Sequence, residues 1–288
     1  MNKLFDARIN YVGESPLWHP LTQTLYWVDF PNKLIRGKSA TQTVEYQLAE
    51  MATAIGWIDE AHLLIATETG LYQFHLLTQK TVLIINVEHT LTTNRSNDGR
   101  ADPWGGFWIG TMDNEATLNK GSFYRYYQGE LTQYISELTI PNGMCFDKSR
   151  CRAYYADSQS QKMFSLELDP ENGAPLAGVK PTLFADFSST KFSPDGAVVD
   201  ASGNVWIALW DGACVVCISP SGEELSRIDV GTLRPTCPGF GGANAHQLYT
   251  TTAQCGLEQE PVLPHEHGTT LLVSEQIKGV YEPAVIIA

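Results

Sequence analysis

Short apolar segments alternate with polar turns along the whole chain, and a glycine recurs where each new group of segments begins. Successive glycines are 43, 43, 44, 53 and 45 residues apart. Each precedes an apolar segment, a turn and a second segment rich in β-branched and aromatic residues, such as "LYWVD" or "NVWIAL", a composition typical of β-strands. The chain therefore contains six copies of one strand-rich unit. The glycines are Gly13, Gly56, Gly99, Gly143, Gly196 and Gly241.

Most units continue with a third strand-like segment, as in "GLYQFHL", and a weaker fourth, as in "TVLIINV". Six repeats of about four antiparallel strands predict an all-β fold, a six-bladed β-propeller that residues 1–288 form as a single domain. A β-sandwich or a two-domain all-β protein is the alternative, and the persistence of the period favours the propeller. Because an open ring would expose strand edges, we expect the first segment to pair with the C-terminal "TLLVSEQ" region and close it.

Composition excludes several classes of function. The chain has 19 Lys and Arg against 32 Asp and Glu, which disfavours nucleic acids and anionic membrane surfaces as partners. The first residues carry charges where a signal peptide needs an apolar core, and no apolar run approaches transmembrane length. We therefore expect a cytoplasmic protein, a monomer or a small homo-oligomer, whose six cysteines are reduced thiols.

Oxygen-bearing side chains stand beside the repeating glycine in four of the six units. They are Glu14, Asp98 with Asn97 close by, Asn142 and Asp195, whereas the second and sixth units offer Ile55 and Phe240. Equivalent positions of successive blades lie around one axis, so these side chains should converge at one mouth of the channel. Carboxylates gathered there repel one another and resist desolvation unless a cation or protons neutralise them.

The set predicts one divalent cation held by Glu14, Asn142 and Asp195. Oxygen ligands suit Ca²⁺, Mg²⁺ or Mn²⁺, and Zn²⁺ or Fe(II) fits an open site with water ligands. Asp-Gly and Asn-Gly pairs that only form tight turns are the alternative for each position taken alone. Near the same mouth, Arg95, Asn97 and Glu115 offer donors and acceptors for a polyhydroxylated or anionic ligand, although each could equally be an ordinary loop residue.

Four stretches of the chain resemble the regucalcin (senescence marker protein) and gluconolactonase family of six-bladed propellers. They are "GESPLW" at Gly13, "NRSNDGRADPWGGFWIGTM" at Asn94, "PNGMCFD" at Pro141 and "SPDGAVVDASGNVWIA" at Ser193, with a weaker "GFGG" at Gly239. They occur in the family's order and cover five of the six units.

The resemblance implies a metal-dependent hydrolase that opens a sugar lactone to the aldonic acid. It implies that Glu14, Asn142 and Asp195 hold one catalytic divalent cation and that Asp195 is the general acid/base. It also implies that Arg95, Asn97 and Glu115 contact the sugar, with Asp113 and Asn114 in the same loop as alternatives to Glu115. A propeller phosphotriesterase or arylesterase and a non-enzymatic calcium-binding propeller are the competing interpretations.

Overall fold

The structure is a computed structural model that describes residues 2–261 and 264–287. Within these ranges it contains 24 strands and two short 3-10 helices, Lys148–Arg150 and Ala243–Ala245. No helix in the described part of the chain is long and apolar enough to cross a membrane. The six cysteines form no disulfide, as predicted.

The strands follow one another in chain order with short connections. They are β1 (Lys3–Asp6), β2 (Gly13–His19), β3 (Thr24–Asp29), β4 (Leu34–Lys38), β5 (Thr43–Gln47), β6 (Ala52–Asp59), β7 (His62–Thr67), β8 (Gly70–His75), β9 (Thr81–Asn86), β10 (Asn94–Ala101), β11 (Phe107–Asp113), β12 (Gly121–Tyr127), β13 (Glu130–Leu138), β14 (Pro141–Asp147), β15 (Arg152–Asp157), β16 (Lys162–Glu167), β17 (Thr182–Asp186), β18 (Ser193–Val199), β19 (Val205–Trp210), β20 (Cys214–Ile218), β21 (Glu224–Asp229), β22 (Pro235–Gly241), β23 (Gln247–Thr252) and β24 (Thr270–Ser274).

These strands form six antiparallel sheets of four strands each. Blades one to five take consecutive strands, from β2–β5 to β18–β21, and blade six joins β22, β23 and β24 to β1. The first strand of each blade contacts the first strand of the next, and β22 contacts β2, so the sheets form a closed ring. The predicted six-bladed β-propeller is confirmed, and each of the six repeating glycines lies in the first strand of a blade.

Blade six closes the ring with a strand from the start of the chain. In the pairing of β1 with β24, Lys3 lies opposite Leu272 and Leu4 opposite Leu271. The predicted pairing of the two terminal regions is therefore confirmed. β1 thus becomes the outer strand of blade six and covers the edge of β24 that would otherwise be unpaired.

The core consists of six apolar clusters, each between two neighbouring blades. The second strand of every blade is almost wholly buried because both of its faces pack against a sheet, whereas the fourth strands are largely exposed. This explains why the second segment of each repeat is the most apolar in the sequence. The packing holds the six first strands at fixed positions around the channel.

Candidate active site

A cavity of about 380 Å³ opens at the end of the channel where the first strands of the blades begin. Its apolar wall consists of Val12, Phe30, Met112, Ile140 and Trp210. Its polar lining includes the three predicted metal ligands, Glu14, Asn142 and Asp195, and the predicted sugar contacts Arg95 and Asn97. Thr53, Asp98, Ser158, Gln159 and Ser193 complete the polar part.

β-Bulges in the first strands direct the site residues towards the cavity. The register of β2 shifts just after Glu14 and that of β14 just after Asn142, whereas Asp195 lies inside the bulge of β18. A bulge leaves residues unpaired and changes the face on which a side chain lies, so residues one position apart in the repeat reach the same space. The glycine beside each ligand therefore does not mark one identical position in every blade.

Two residues next to the ligands have a left-handed backbone that the bulges require. Gly143, beside Asn142, has a φ of +64°, and a Cβ there would lie 3.0 Å from the backbone oxygen of Asp195. Ser15, beside Glu14, has a φ of 50°, and its hydroxyl oxygen accepts the N–H of Ile55 at 2.9 Å. Close contacts between blades thus fix the backbone on which two of the ligands stand.

The site contains three carboxyl groups, of which those of Asp98 and Asp195 are buried and that of Glu14 is half-buried. Burial raises the pKa of Glu14 well above its usual range, and the charges of Asp195 and Asp98 add to the shift. Burial likewise raises the pKa of Asp195, with a further contribution from Asp98. In the described part of the chain no ion pair involves any of the three. Such a group of charges favours either protonation or a bound cation.

A chain of hydrogen bonds orients the amide of Asn142. Its Oδ1 accepts the Nδ2 of Asn97 at 3.0 Å, and its Nδ2 donates to the hydroxyl of Ser158 at 2.8 Å. Ser158 in turn donates to the backbone oxygen of Pro194 at 2.6 Å, next to Asp195. The chain links blades three, four and five, and it leaves one lone pair of the Asn142 amide oxygen available to a ligand.

These residues fit a divalent cation with oxygen ligands. Two unpaired carboxylates and an oriented amide oxygen are hard ligands of the kind that Ca²⁺, Mg²⁺ and Mn²⁺ prefer. Among residues 2–261 and 264–287, no group of three or more His, Cys, Asp and Glu side chains is placed to hold a metal ion. A cation bound here would therefore depend on the amide of Asn142 and on water or substrate for the remaining ligands.

Arg95 is held in one orientation at the side of the cavity. Its Nη1 donates to Asn97 Oδ1 at 2.9 Å and to the backbone oxygen of Ser96 at 2.8 Å, and its guanidinium lies 5.2 Å from the ring centre of Phe30. Glu115 lies elsewhere: it is exposed in the loop after β11 and does not line the cavity. Its contact with a sugar stays a prediction.

Sequence reasoning missed the aromatic and hydroxyl groups that line the cavity from the second strands. Phe30 follows β3, Ser158 follows β15, and Trp210 ends β19 opposite Ser193. Trp210 is stacked by Arg234, whose guanidinium lies 4.7 Å from the ring centre. Ile55 and Phe240, the counterparts taken from the second and sixth units, are core residues, and Thr53 is what blade two contributes. Phe30, Ser158 and Trp210 share one feature that the sequence could have shown: each lies at the end of the second strand of its blade.

Comparison with known proteins identifies the family. Residues 12–254 match the model of the "SMP-30/Gluconolactonase/LRE-like region". The chain belongs to this family. The predicted resemblance is thereby confirmed, and the matched residues include every strand from β2 to β23.

Members of the SMP-30/gluconolactonase family resemble the chain over nearly its whole length. A putative sugar lactone lactonase of Rhizobium meliloti (strain 1021) is 31% identical over 95% of this chain and 93% of its own. The L-arabinolactonase of Azospirillum brasilense is 32% identical over 94% and 90%. The crystal structure of a calcium-binding protein, regucalcin, from Agrobacterium tumefaciens str. C58 superposes with a TM-score of 0.95 at 30% identity, covering 99% of this chain and 97% of that one.

Proposed function

We propose that this chain hydrolyses the internal ester of a sugar lactone, giving the aldonic acid, and that it does so in the cavity around Glu14, Asn142 and Asp195. The observation that supports this most directly is that these three side chains, from the first strands of three blades, line one open cavity. Neither carboxylate forms an ion pair among the described residues. A cage built only for structure would leave no space of about 380 Å³ beside it.

The relatives support the reaction class. Two are named for hydrolysis of sugar lactones, one of them an L-arabinolactonase. These names bear out the predicted enzyme class, a hydrolase of cyclic esters. The related regucalcin is described as a calcium-binding protein, which supports a divalent cation as the cofactor of this site. Which of Ca²⁺, Mn²⁺, Mg²⁺, Zn²⁺ and Fe(II) is bound is left to experiment.

When bound to Glu14, Asn142 and Asp195, the cation would supply Lewis-acid polarisation of the lactone carbonyl. Water adds to the carbonyl carbon, and Asp195 takes one of its protons, because its carboxylate lies in the cavity beside the substrate. The bond between that carbon and the ring oxygen then breaks, and Asp195 returns the proton to the ring oxygen as it becomes a hydroxyl. One water is consumed and the ring opens to a hydroxy acid.

Arg95 and Asn97 would hold the sugar during this reaction. Asn97 Oδ1 accepts Nη1 of Arg95, and Asn97 Nδ2 donates to Pro141 O and Asn142 Oδ1, so Asn97 is fixed and the remaining N–H groups of Arg95 have set directions along one side of the cavity. Fixed donors that need no reorganisation bind hydroxyl oxygens in one orientation and so place the carbonyl carbon near Asp195.

The decisive test compares Asp195→Asn with Asp200→Asn. Asp200 is equally buried in the same blade, but it accepts hydrogen bonds from Ser202, Asn204 and Trp206 at the turn after β18. Chelated and remetallated samples are assayed for acid release from an aldonolactone, after subtraction of spontaneous hydrolysis. We expect Asp195→Asn to lower kcat by a factor of about 10²–10⁴ and Asp200→Asn to retain it. Full activity of Asp195→Asn, or none of the wild type on a broad lactone panel with any of the five cations, would refute the proposal.

A second candidate is hydrolysis of less polar aryl esters. It is favoured by the apolar wall, in which the aromatic rings of Phe30 and Trp210 border the cavity. The polar side of the same cavity, with Arg95 and Asn97, favours a hydroxylated substrate. Comparing kcat/KM for an aldonolactone with that for phenyl acetate separates the two, and a higher value for the aryl ester would favour the second.

A further inference from the structure

The end of the channel opposite the cavity is crossed by an extended segment, residues 275–287, which we call the strap. It binds to the turns or strand ends of four blades: five, six, two and three. The hydrogen bonds run from Ala201 N to Lys278 O (2.9 Å), from Gly279 N to Ala245 O (2.9 Å), from Trp57 Nε1 to Glu282 O (2.8 Å) and from Ile286 N to Gly105 O (2.9 Å). The strap therefore closes this end of the channel.

Glu282 of the strap forms a buried ion pair with Arg100 of β10. The two side chains are 11% and 6% exposed, and an Nη1–Oε1 contact joins them. The other nitrogens of Arg100 reach two further blades: Nε donates to the backbone oxygen of Met144 at 3.1 Å, and Nη2 lies 3.5 Å from the backbone oxygen of Pro238. One guanidinium thus connects blades three, four and six with the strap.

Met144 connects the ion pair of Arg100 and Glu282 with the candidate site. It lies in the bulge of β14, two residues after Asn142. Asp98 Oδ2 accepts its N–H at 3.0 Å, while Arg100 donates to its carbonyl oxygen. Two side chains of β10 therefore hold both backbone groups of the residue that ends the ligand-bearing bulge.

The charge of Arg100 bears on the site as well. Its positive charge acts on both Glu14 and Asp98, and charges in a buried channel are only weakly screened by salt. Without a partner, Arg100 would oppose a cation bound near Glu14. Glu282 supplies that partner from the strap.

We propose that Glu282 is a positioning residue of the metal site. By holding Arg100 it fixes the Met144 bulge, and with it the direction of the Asn142 amide oxygen, and it neutralises a charge that would repel the cation. This inference rests on the metal site of the proposed function. Groups that orient the ligands of a metal typically contribute a factor of about 10–100 to its affinity.

A second buried ion pair in the same blade provides a matched control. Arg125 and Asp102 are 2% and 0% exposed, and their N–O distance is 2.6 Å. Asp102 also accepts the N–H groups of Trp104 and Gly106. Neither Arg125 nor Asp102 lines the cavity, so breaking this pair perturbs the fold without perturbing the site.

The experiment compares Glu282→Gln with Asp102→Asn in the full-length chain. Chelator-treated proteins are titrated calorimetrically with CaCl₂ and with MnCl₂, and hydrogen exchange of the Met144 N–H is followed without metal. We expect Glu282→Gln to weaken cation binding by a factor of about 10–100 and to speed exchange at Met144. Asp102→Asn should lower the thermal unfolding temperature and leave both the affinity and the Met144 exchange unchanged.

The outcomes separate this inference from the proposed function. A wild type that binds neither cation refutes the metal site, while exchange at Met144 still decides whether Glu282 holds the bulge. Unchanged affinity and exchange in Glu282→Gln, or equal changes in both variants, overturns the inference. If Glu282→Gln does not fold, Arg100→Lys replaces it: a lysine keeps the charge but cannot contact Met144, Pro238 and Glu282 at once, so the same faster exchange is expected.

Discussion

The hydroxyl of Ser158 provides the sharpest test of how the site is built. Ser158 is 8% exposed, and it accepts from Asn142 Nδ2 at 2.8 Å and donates to the backbone oxygen of Pro194 at 2.6 Å. Replacing it with alanine removes one oxygen and leaves both partners buried without this bond. The Asn142 amide then keeps only its hydrogen bond from Asn97, so its oxygen is held less firmly towards the cation.

The expected magnitude follows from the two lost hydrogen bonds. A buried group left without its partner costs about 1–3 kcal/mol, so we expect Ser158→Ala to lower the free energy of unfolding by about 2–4 kcal/mol. In a chain of this size each kcal/mol shifts the unfolding temperature by about 2–4 °C, which gives a decrease of about 4–16 °C. Loss of ligand orientation should weaken cation binding by a further factor of about 10–100.

Ser219→Ala is the control. Ser219 is also 8% exposed and also makes two hydrogen bonds, to Ser221 Oγ at 2.8 Å and from the N–H of Glu223 at 3.1 Å, in the turn between β20 and β21. Unfolding is followed by circular dichroism and cation affinity by calorimetry. Ser219→Ala should lose stability but keep wild-type affinity. The reasoning is refuted if Ser158→Ala binds the cation as tightly as Ser219→Ala does.

Three further predictions concern the groups around the cavity. Burial raises the pKa of Glu14 and Asp195 in the folded state, so the metal-free folded protein binds more protons than the unfolded chain. Its stability therefore falls as pH rises from about 4 through the folded pKa values. In chelator, Asp195→Asn should unfold at a higher temperature than the wild type, by a margin that grows between pH 5 and pH 8. A margin that shrinks with pH contradicts this. Arg95→Lys should raise KM for an aldonolactone by about tenfold, because lysine lacks the planar guanidinium and its paired donors. Glu115→Gln should raise KM less, because its carboxylate is exposed. A larger effect of Glu115→Gln would indicate that the sugar binds nearer to the loop after β11. Trp210→Ala should raise KM by about 3–10-fold through loss of an aromatic contact, with Trp210→Phe in between and kcat retained, as steady-state kinetics will show.

Local patterns in the chain were enough to predict the blades. A strand is recognised from short-range alternation and composition, and the glycine period repeats that information six times, so the number of blades and their closure followed. The residue types of the candidate site also stood out, because carboxylates and amides beside a glycine of the first strand are unusual in an apolar repeat. Glu14, Asn142 and Asp195 were selected on this basis, and all three line the cavity.

β-Bulges limited how precisely the site residues could be predicted from the sequence. Asp195 lies one position further along its strand than Glu14 and Asn142 do along theirs, counted from the last residue paired before the register shift. All three nevertheless line one cavity, because the unpaired residues of a bulge do not obey the two-residue alternation of a strand. The local sequence does not show where a register shifts. Counting from the glycine therefore gave Ile55 as the position equivalent to the ligands in blade two, whereas Thr53 is the residue that lines the cavity.

The sequence by itself determined the repeating unit, the closed ring and the oxygen-rich character of one mouth of the channel, because these depend on neighbours within a few residues and on their repetition. Only the tertiary structure decided which distant groups meet: Ser158 with Asn142, Trp210 with the cavity, and Glu282 with Arg100 across 182 residues. Such contacts depend on the angle and register at which whole blades pack. The side chains that make them carry no local pattern that would distinguish them from ordinary loop or strand residues.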